Sequence, residues 1–254
     1  STNNPNLGNY YALIIGNNDY QTMSTLVTAI NDATEAEKIL KNQYQFKTQL
    51  LINATRYQIL SALNTLREKL KEEDNLLIYY AGHGKLDTVN KRGFWLPVDA
   101  DENNSANWIS NIAITDILNT MKAKHVLVVA DSCYSGSLSQ TAIARVEQEL
   151  TDDVKQQWIN VMANTRARIM LTSGGVEPVL DGGGGKHSIF AKAFLDTLRE
   201  NNRILEGYSL YYEVLTKVMK KASQLDREQV PQYAPIHLAG HESGEFLFSP
   251  KRSL

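Results

Sequence analysis

The sequence predicts an α/β protein: a mostly parallel central sheet with helices on both faces. Three observations carry this. Short apolar runs alternate with helix-periodic segments through the first 130 residues or so, the signature of βαβ units. Two of the runs, 76–81 and 126–130, are continuously apolar, as strands buried on both sides are. The chain has 254 residues, 43% hydrophobic and 21% charged, an ordinary globular composition with enough apolar surface for a sizeable core.

In order, Tyr10–Gly16 reads as a short strand ending in a Gly-Asn-Asn-Asp turn. Residues 26–42 carry Leu26, Ile30, Ala33, Ala36, Ile39 and Leu40 at helical spacing. Residues 46–52 form a second strand, and a helix runs from about 56 to 71 with Ile59, Leu60, Leu63, Leu66 and Leu70 on one face. The apolar run 76–81 follows, then a short edge strand at 95–98 interrupted by Pro97, a helix at 111–122, and strands at 126–130 and 169–172. Helices are expected at 190–199 and 210–221, and strand material at 234–238 and 245–248. The polar stretch 141–168 reads as a long surface insertion, and the glycine run 181–185 as a mobile loop lacking the Lys-Ser/Thr ending of a phosphate-binding loop. Residues 1–9 read as a flexible flank and 10–249 as a single domain. The chain begins without a methionine, as a processed chain or a piece of a longer protein does.

The charge balance, 26 basic against 28 acidic residues, argues against a nucleic-acid surface, which needs clustered excess Lys and Arg. No run approaches the ~18 apolar residues of a membrane span, and no signal peptide is evident. The one cysteine, Cys133, supports neither an internal disulfide nor a cysteine-rich zinc site, and a reducing cytosol suits it.

Chemistry concentrates at two strand tips. The run 76–81 ends in Gly82, His83 and Gly84, and the run 126–130 in DSCYSG at 131–136. In open α/β sheets ligands bind beyond the carboxyl ends of the strands. A cysteine attacks as its thiolate, and an imidazole supplies base and then acid. His83 and Cys133 stand about 50 residues apart, a spacing that cysteine peptidases of one family share. The flanking glycines admit a substrate backbone, and amides after the strand tips can face an oxyanion.

YAGHG at 80–84 and DSCYSG at 131–136 resemble the histidine and cysteine motifs of the caspase-like cysteine peptidases, most closely the metacaspases and bacterial orthocaspases. ALIIGNNDY at 12–20, AINDA at 29–33 and LPVD at 96–99 resemble further segments of that family, so the resemblance covers nearly the whole chain. It implies a caspase-like three-layer sandwich, with 10–136 as the large catalytic segment, 137–168 as an activation linker and 169–249 as the small segment. It implies Cys133 as nucleophile, His83 as general acid and base, and the amides of Gly84 and Cys133 as oxyanion hole. It also implies that Asp32 and Asp131 bind a basic substrate side chain, Arg before Lys. Two partly buried carboxylates repel each other unless a cation joins them, and a guanidinium satisfies both.

Self-processing is then expected in the insertion, at Arg145 first, with Lys155, Arg166 and Arg168 as further candidates. Many metacaspases bind activating calcium through aspartates. Asp99 matches one, but the later carboxylates would fall at 111–114, which here reads Asn-Ile-Ala-Ile. No cofactor, no metal site and no calcium dependence is therefore expected. The expected partners are protein or peptide substrates with basic residues and a sensor or regulatory module, with neither nucleic acid nor membrane, and the chain is expected to act as a monomer. His125 reads as structural, His187 as the cap of the helix that follows it, and His237 and His241 as unconnected to any metal. The rival readings are a catalytically silent interaction module on the same fold and a cysteine–histidine hydrolase or acyltransferase with non-protein substrates.

Overall fold

The computed structural model describes residues 6–132, 152–174 and 185–251. Its centre is a six-stranded sheet. β1 (Tyr10–Gly16), β2 (Lys47–Ile52), β3 (Asn75–Ala81), β7 (His125–Asp131) and β8 (Ala167–Thr172) are parallel, and β10 (Gln232–Pro235) closes one edge antiparallel to β8. The order across the sheet is β10-β8-β7-β3-β1-β2. A smaller antiparallel sheet joins β4 (Gly84–Asp87), β5 (Arg92–Trp95) and β6 (Ile109–Ser110), and β9 (Leu205–Glu206) pairs with β11 (Leu247–Phe248).

Side-chain parity divides the core in two, because successive strand residues face opposite sides. Ala12, Ile14, Leu77, Tyr79, Leu127, Val129, Ile169 and Leu171 face α1 (Ala29–Tyr44), α5 (Ile189–Glu200) and α6 (Gly207–Gln224). Leu13, Ile15, Leu76, Ile78, Tyr80, Val126, Val128 and Met170 face α2 (Arg56–Lys69) and α3 (Asn111–Thr120). The three-layer arrangement follows: a sheet this apolar on both sides has to be covered on both.

Helix starts follow their caps. Thr55 and Gln58 form a reciprocal capping box at α2, Ser110 accepts from the Ala113 amide at α3, and Ser188 accepts from the Ala191 amide at α5. The first helix begins at Ala29 rather than 26, because the Asn18 side chain accepts from the Ile30 amide while residues 17–28 form a loop. Inside the expected insertion lies α4 (Asp152–Asn164), a mostly exposed helix with Ile159 turned inward. The terminal strand material also differs: β10 ends at Pro235, which offers no amide to the ladder, and β11 joins β9 rather than the main sheet.

Arg168 corrects a further expectation. It is fully buried in the middle of β8 and is no processing point. Its parity turns it toward α3, where its guanidinium donates to the carbonyls of Leu118, Met121, Lys124 and Ala167 at 2.9–3.1 Å. Burial lowers its pKa to about 9, so it stays charged at neutral pH. Carbonyls left over at the C-terminal end of α3 supply the partial negative charge that a carboxylate would otherwise provide. Arg168→Ala orphans several of these buried oxygens and is expected to cost about 3 kcal/mol or more, read from urea unfolding. A loss under about 1 kcal/mol would show that solvent reaches those carbonyls.

Candidate active site

β1, β3 and β7 end level. Gly16 pairs with Ala81, and Ala81 with Asp131, in one row across the sheet. The loops leaving that row carry every residue of the site. Gly16 is required by close approach: a Cβ there would stand 2.7 Å from the Ala29 carbonyl oxygen and from the Ala33 Cβ. Its absence lets the first turn of α1, with Asp32, lie against the strand end.

His83 follows β3 and is 95% buried, with 5% of its surface accessible. Its amide donates to the Tyr20 hydroxyl at 2.7 Å, and its carbonyl accepts from the Leu96 amide at 3.0 Å and lies 2.7 Å from the Tyr80 hydroxyl. Gly82 fits between these two tyrosines: a Cβ there would come within 2.8 Å of both hydroxyls. The Tyr20 ring meets the imidazole edge-on at 4.5 Å. The Nε2 atom lies 2.8 Å from the Ser24 carbonyl oxygen. A carbonyl only accepts, so Nε2 carries the proton and Nδ1 keeps the lone pair. Burial lowers the His83 pKa, opposed by the Ser24 carbonyl and the charge of Glu102, which favours the neutral base at neutral pH.

Asp131 ends β7 with the parity that faces α1 and α5. Asp32 and Asp131 are 0% and 2% exposed. Ser188 connects them: its hydroxyl donates to Asp131 Oδ2 at 2.5 Å and its amide to Asp32 Oδ2 at 3.3 Å. The His187 Nδ1 lies 2.7 Å from Asp32 Oδ1. Burial and the charge of Asp32 raise the Asp131 pKa to about 7, against the hydrogen bonds from Ser188 and Ser173. Tyr79, fully buried on the same sheet face, has its pKa raised well above 10 by burial and then by both carboxylates. Two acids inside an apolar setting form a site that a cation would relieve.

Of the residues singled out from sequence, His83, Gly84, Asp32 and Asp131 gather at this edge of the sheet. Cys133 and Arg145 lie outside the described residues. In the ladder Gly84 faces Trp95, and the neighbouring bond runs from the Leu96 amide to the His83 carbonyl, so the Gly84 amide points away from β5. Lys155 is an exposed residue within α4. The Arg166 carbonyl accepts from the amides of Glu242 and Gly244, and the Ala167 amide donates to Lys124. A peptidase needs an extended strand of substrate, so cutting at either place requires local opening first. Asp99 accepts from the Arg56 amide at the start of α2. His187 does not cap α5; Ser188 does, and His187 pairs with Asp32 instead. Sequence reasoning missed Ser24, Tyr20 and Ser188. A backbone carbonyl leaves no mark in a sequence, whereas Ser188 ahead of an apolar periodic run was legible as a helix cap.

An open α/β sheet with a buried histidine and an acid pair on its carboxyl edge defines a caspase-like fold. The chain belongs to the caspase domain family (Peptidase_C14), whose sequence model matches residues 9–240. It is 30% identical over 150 residues to Metacaspase-1 of Eremothecium gossypii, covering 51% of this chain and 32% of that protein. It is 33% identical over 100 residues to human mucosa-associated lymphoid tissue lymphoma translocation protein 1, covering 39% of this chain and 12% of that protein. The chain thus spans a third or less of these relatives. Among solved structures, caspase-1 from Spodoptera frugiperda superposes with a TM-score of 0.63 at 14% identity, over 93% of this chain and 94% of that one. Protein GSU0716 of Geobacter sulfurreducens does so with a TM-score of 0.59 at 15% identity, over 89% and 92%. At these identities the structures speak for the fold.

In the ligand-free protein the Asp131 carboxyl is expected to titrate near 7, followed by its side-chain carbon resonance. Asp32→Asn removes a like charge and moves the midpoint down. Ser188→Ala removes a bond to the ionised form and moves it up. A wild-type midpoint in the ordinary carboxylate range would break this account of the pair.

Proposed function

We propose that this chain is a cysteine endopeptidase that cleaves peptide bonds after basic residues, Arg before Lys. The observation that carries the reading is the buried Asp32 and Asp131 pair beside His83. A guanidinium presents two parallel donors in a plane and stays charged when desolvated, which suits two carboxylates better than a Lys ammonium does.

The chemistry assigns Cys133 as nucleophile. His83 and Cys133 each stand two residues beyond a paired strand position, Ala81 and Asp131. The Cys133 thiol gives its proton to Nδ1 of His83, and the thiolate attacks the scissile carbonyl. The oxyanion meets the amides of Gly84 and Cys133. Collapse breaks the C–N bond, and the leaving amine takes the proton from Nδ1. Water then loses a proton to Nδ1 and attacks the thioester. The acid leaves, and the thiolate recovers its proton. Throughout, the Ser24 carbonyl holds the Nε2 proton and stabilises the imidazolium, a role that an aspartate fills in other hydrolases. Self-processing at Arg145 and regulation by a partner module belong to this reading. So does independence from calcium, since Asp99 serves the start of α2 and 111–114 offers no carboxylate.

The test is a panel of fluorogenic peptides identical but for Arg, Lys, Asp or norleucine before the scissile bond, with Cys133→Ala as control. Arg peptides are expected to turn over fastest and Asp peptides not at all. Asp131→Asn is expected to lower kcat/KM on Arg peptides by about 100-fold or more, because a desolvated guanidinium loses half its counter-charge. No cleavage of any peptide would favour a silent interaction module. Undiminished Arg turnover by Asp131→Asn would remove the acid pair from specificity.

A further inference from the structure

We propose that His187 is a built-in competitor for the acid pair: its ring occupies Asp32 in the empty site, and an incoming basic side chain has to displace it. This rests on the reading of Asp32 and Asp131 as the specificity pocket. It adds a residue that gates that pocket and makes it sensitive to pH.

The geometry gives three reasons. First, Asp32 is inaccessible to solvent, while the His187 side chain on its Oδ1 is 21% exposed. The ring is therefore part of the cover between the carboxylate and water. Second, the backbone on both sides of the ring is fixed. The Lys186 carbonyl accepts from Asn31 Nδ2 at 2.6 Å, the Ser188 amide donates to Asp32, and the Ser188 hydroxyl is held by Asp131 and the Ala191 amide. Displacement is then a side-chain rotation and needs no loop movement. Third, there is space to receive the ring. His187 lines a groove of about 580 Å³ between α5 and α6, bordered also by Lys186, Lys192, Asp196, Lys217 and Lys221.

The charges around the ring set the direction. From α1 it meets Asp32 and Glu35; from α5 it meets Lys192, Asp196 and Arg199. From α6, Lys217 and Lys221 border the groove, Lys186 adjoins it in sequence, and Asp131 of β7 acts through Ser188. An imidazolium is strongly held on Asp32 and unwelcome in a groove with four lysines. A neutral ring gives up a weaker hydrogen bond and meets no repulsion. Burial and the charges of Lys192 and Arg199 lower the His187 pKa, with Glu35 and Asp196 opposing. Cation entry therefore expels a proton from His187 when the ring carries one, and apparent affinity for the cation falls as pH drops through the empty-site titration of the ring. Asp131, whose protonation also weakens cation binding, titrates at higher pH and separately.

The experiment uses the whole chain as Cys133→Ala, with agmatine as the guanidinium probe. Agmatine affinity is measured at about pH 6 and about pH 8, and the His187 ring resonance, assigned by its loss in His187→Gln, is titrated with and without agmatine. Agmatine is expected to shift that resonance and lower its midpoint. His187→Gln is expected to tighten agmatine about 3- to 10-fold at the lower pH and less at the higher, since it removes the competing charge. His187→Lys, a permanent competitor, is expected to weaken agmatine by more than about 10-fold at both. A resonance indifferent to bound agmatine, or His187→Lys binding like the parent, would overturn the inference while leaving the pocket reading intact. Failure of the parent to bind agmatine, or binding undiminished by Asp131→Asn, would overturn the pocket reading and this inference with it.

Discussion

Two carboxylates held out of water, with no lysine or arginine among the described partners that hold them, are the constraint on which this site turns. Asp32 comes from the first turn of α1 and Asp131 from the end of β7, and between them stand one hydroxyl, one amide and one imidazole. The N-terminal end of α5 adds partial positive charge from behind Ser188. Even so, Asp131 is held up to about 7. A group whose folded pKa is raised contributes stability at low pH that is lost as pH rises through the folded value. Between about 4 and 7 the unfolded chain ionises this carboxyl more readily than the folded one does, and the folded state loses stability from this group as pH climbs. A bound cation reverses the balance. The pocket is a local source of instability that binding repairs, an arrangement suited to selecting a charged group over its neutral isosteres.

The level row Gly16, Ala81, Asp131 explains how one edge holds two kinds of chemistry. Parallel strands in register deliver their following loops to the same place, so a short loop after each strand suffices. The loop after β1 brings both the Ser24 carbonyl to His83 and, a few residues on, Asp32 to the pocket. That loop is itself pinned: the Asn53 side chain accepts from the amides of Asn18 and Asp19, and the Gln21 amide donates to the Val98 carbonyl. Base and pocket are thus oriented by one piece of backbone, and their separation is set by the sheet rather than by side-chain rotamers.

What the sequence disclosed follows from what kind of signal each element leaves. Runs such as 76–81 and 126–130 were legible because burial on both faces forces an unbroken apolar stretch. The parallel order followed from alternation, and His83, Asp32 and Asp131 followed from motifs at strand and helix ends. The helix α4 was not legible: it buries only Ile159 among its described side chains, so its polar sequence looks like a surface loop. The strand pair β9–β11 is two residues long on each side, too short for periodicity to speak. Arg168 was misjudged because charge usually means exposure. Its partners are carbonyls at the end of a helix, contributed by backbone whose side chains are Leu118, Met121, Lys124 and Ala167, and no residue type announces them. The Ser24 carbonyl escaped notice for the same reason. Side-chain chemistry is written in the sequence, whereas backbone chemistry is written only in the fold.

Ser188 joins the stability of a helix to the specificity of a pocket. As an N-cap it could be replaced by Thr, Asn or Asp with little loss, since each offers an oxygen to the Ala191 amide. The acid pair narrows that choice. Asp would place a third carboxylate beside two that already repel and would bring no proton to share. Asn can donate through its amide nitrogen while its oxygen caps, but the two groups are spread over a planar amide, and a single hydroxyl does both from one atom within 2.5 Å of Asp131 and 2.9 Å of Ala191. Gly would leave the cap nearly intact and remove the only hydroxyl that Asp131 receives from α5. The residue is therefore chosen by the pocket from among those the helix would accept, and changes there move helix stability and carboxylate ionisation together.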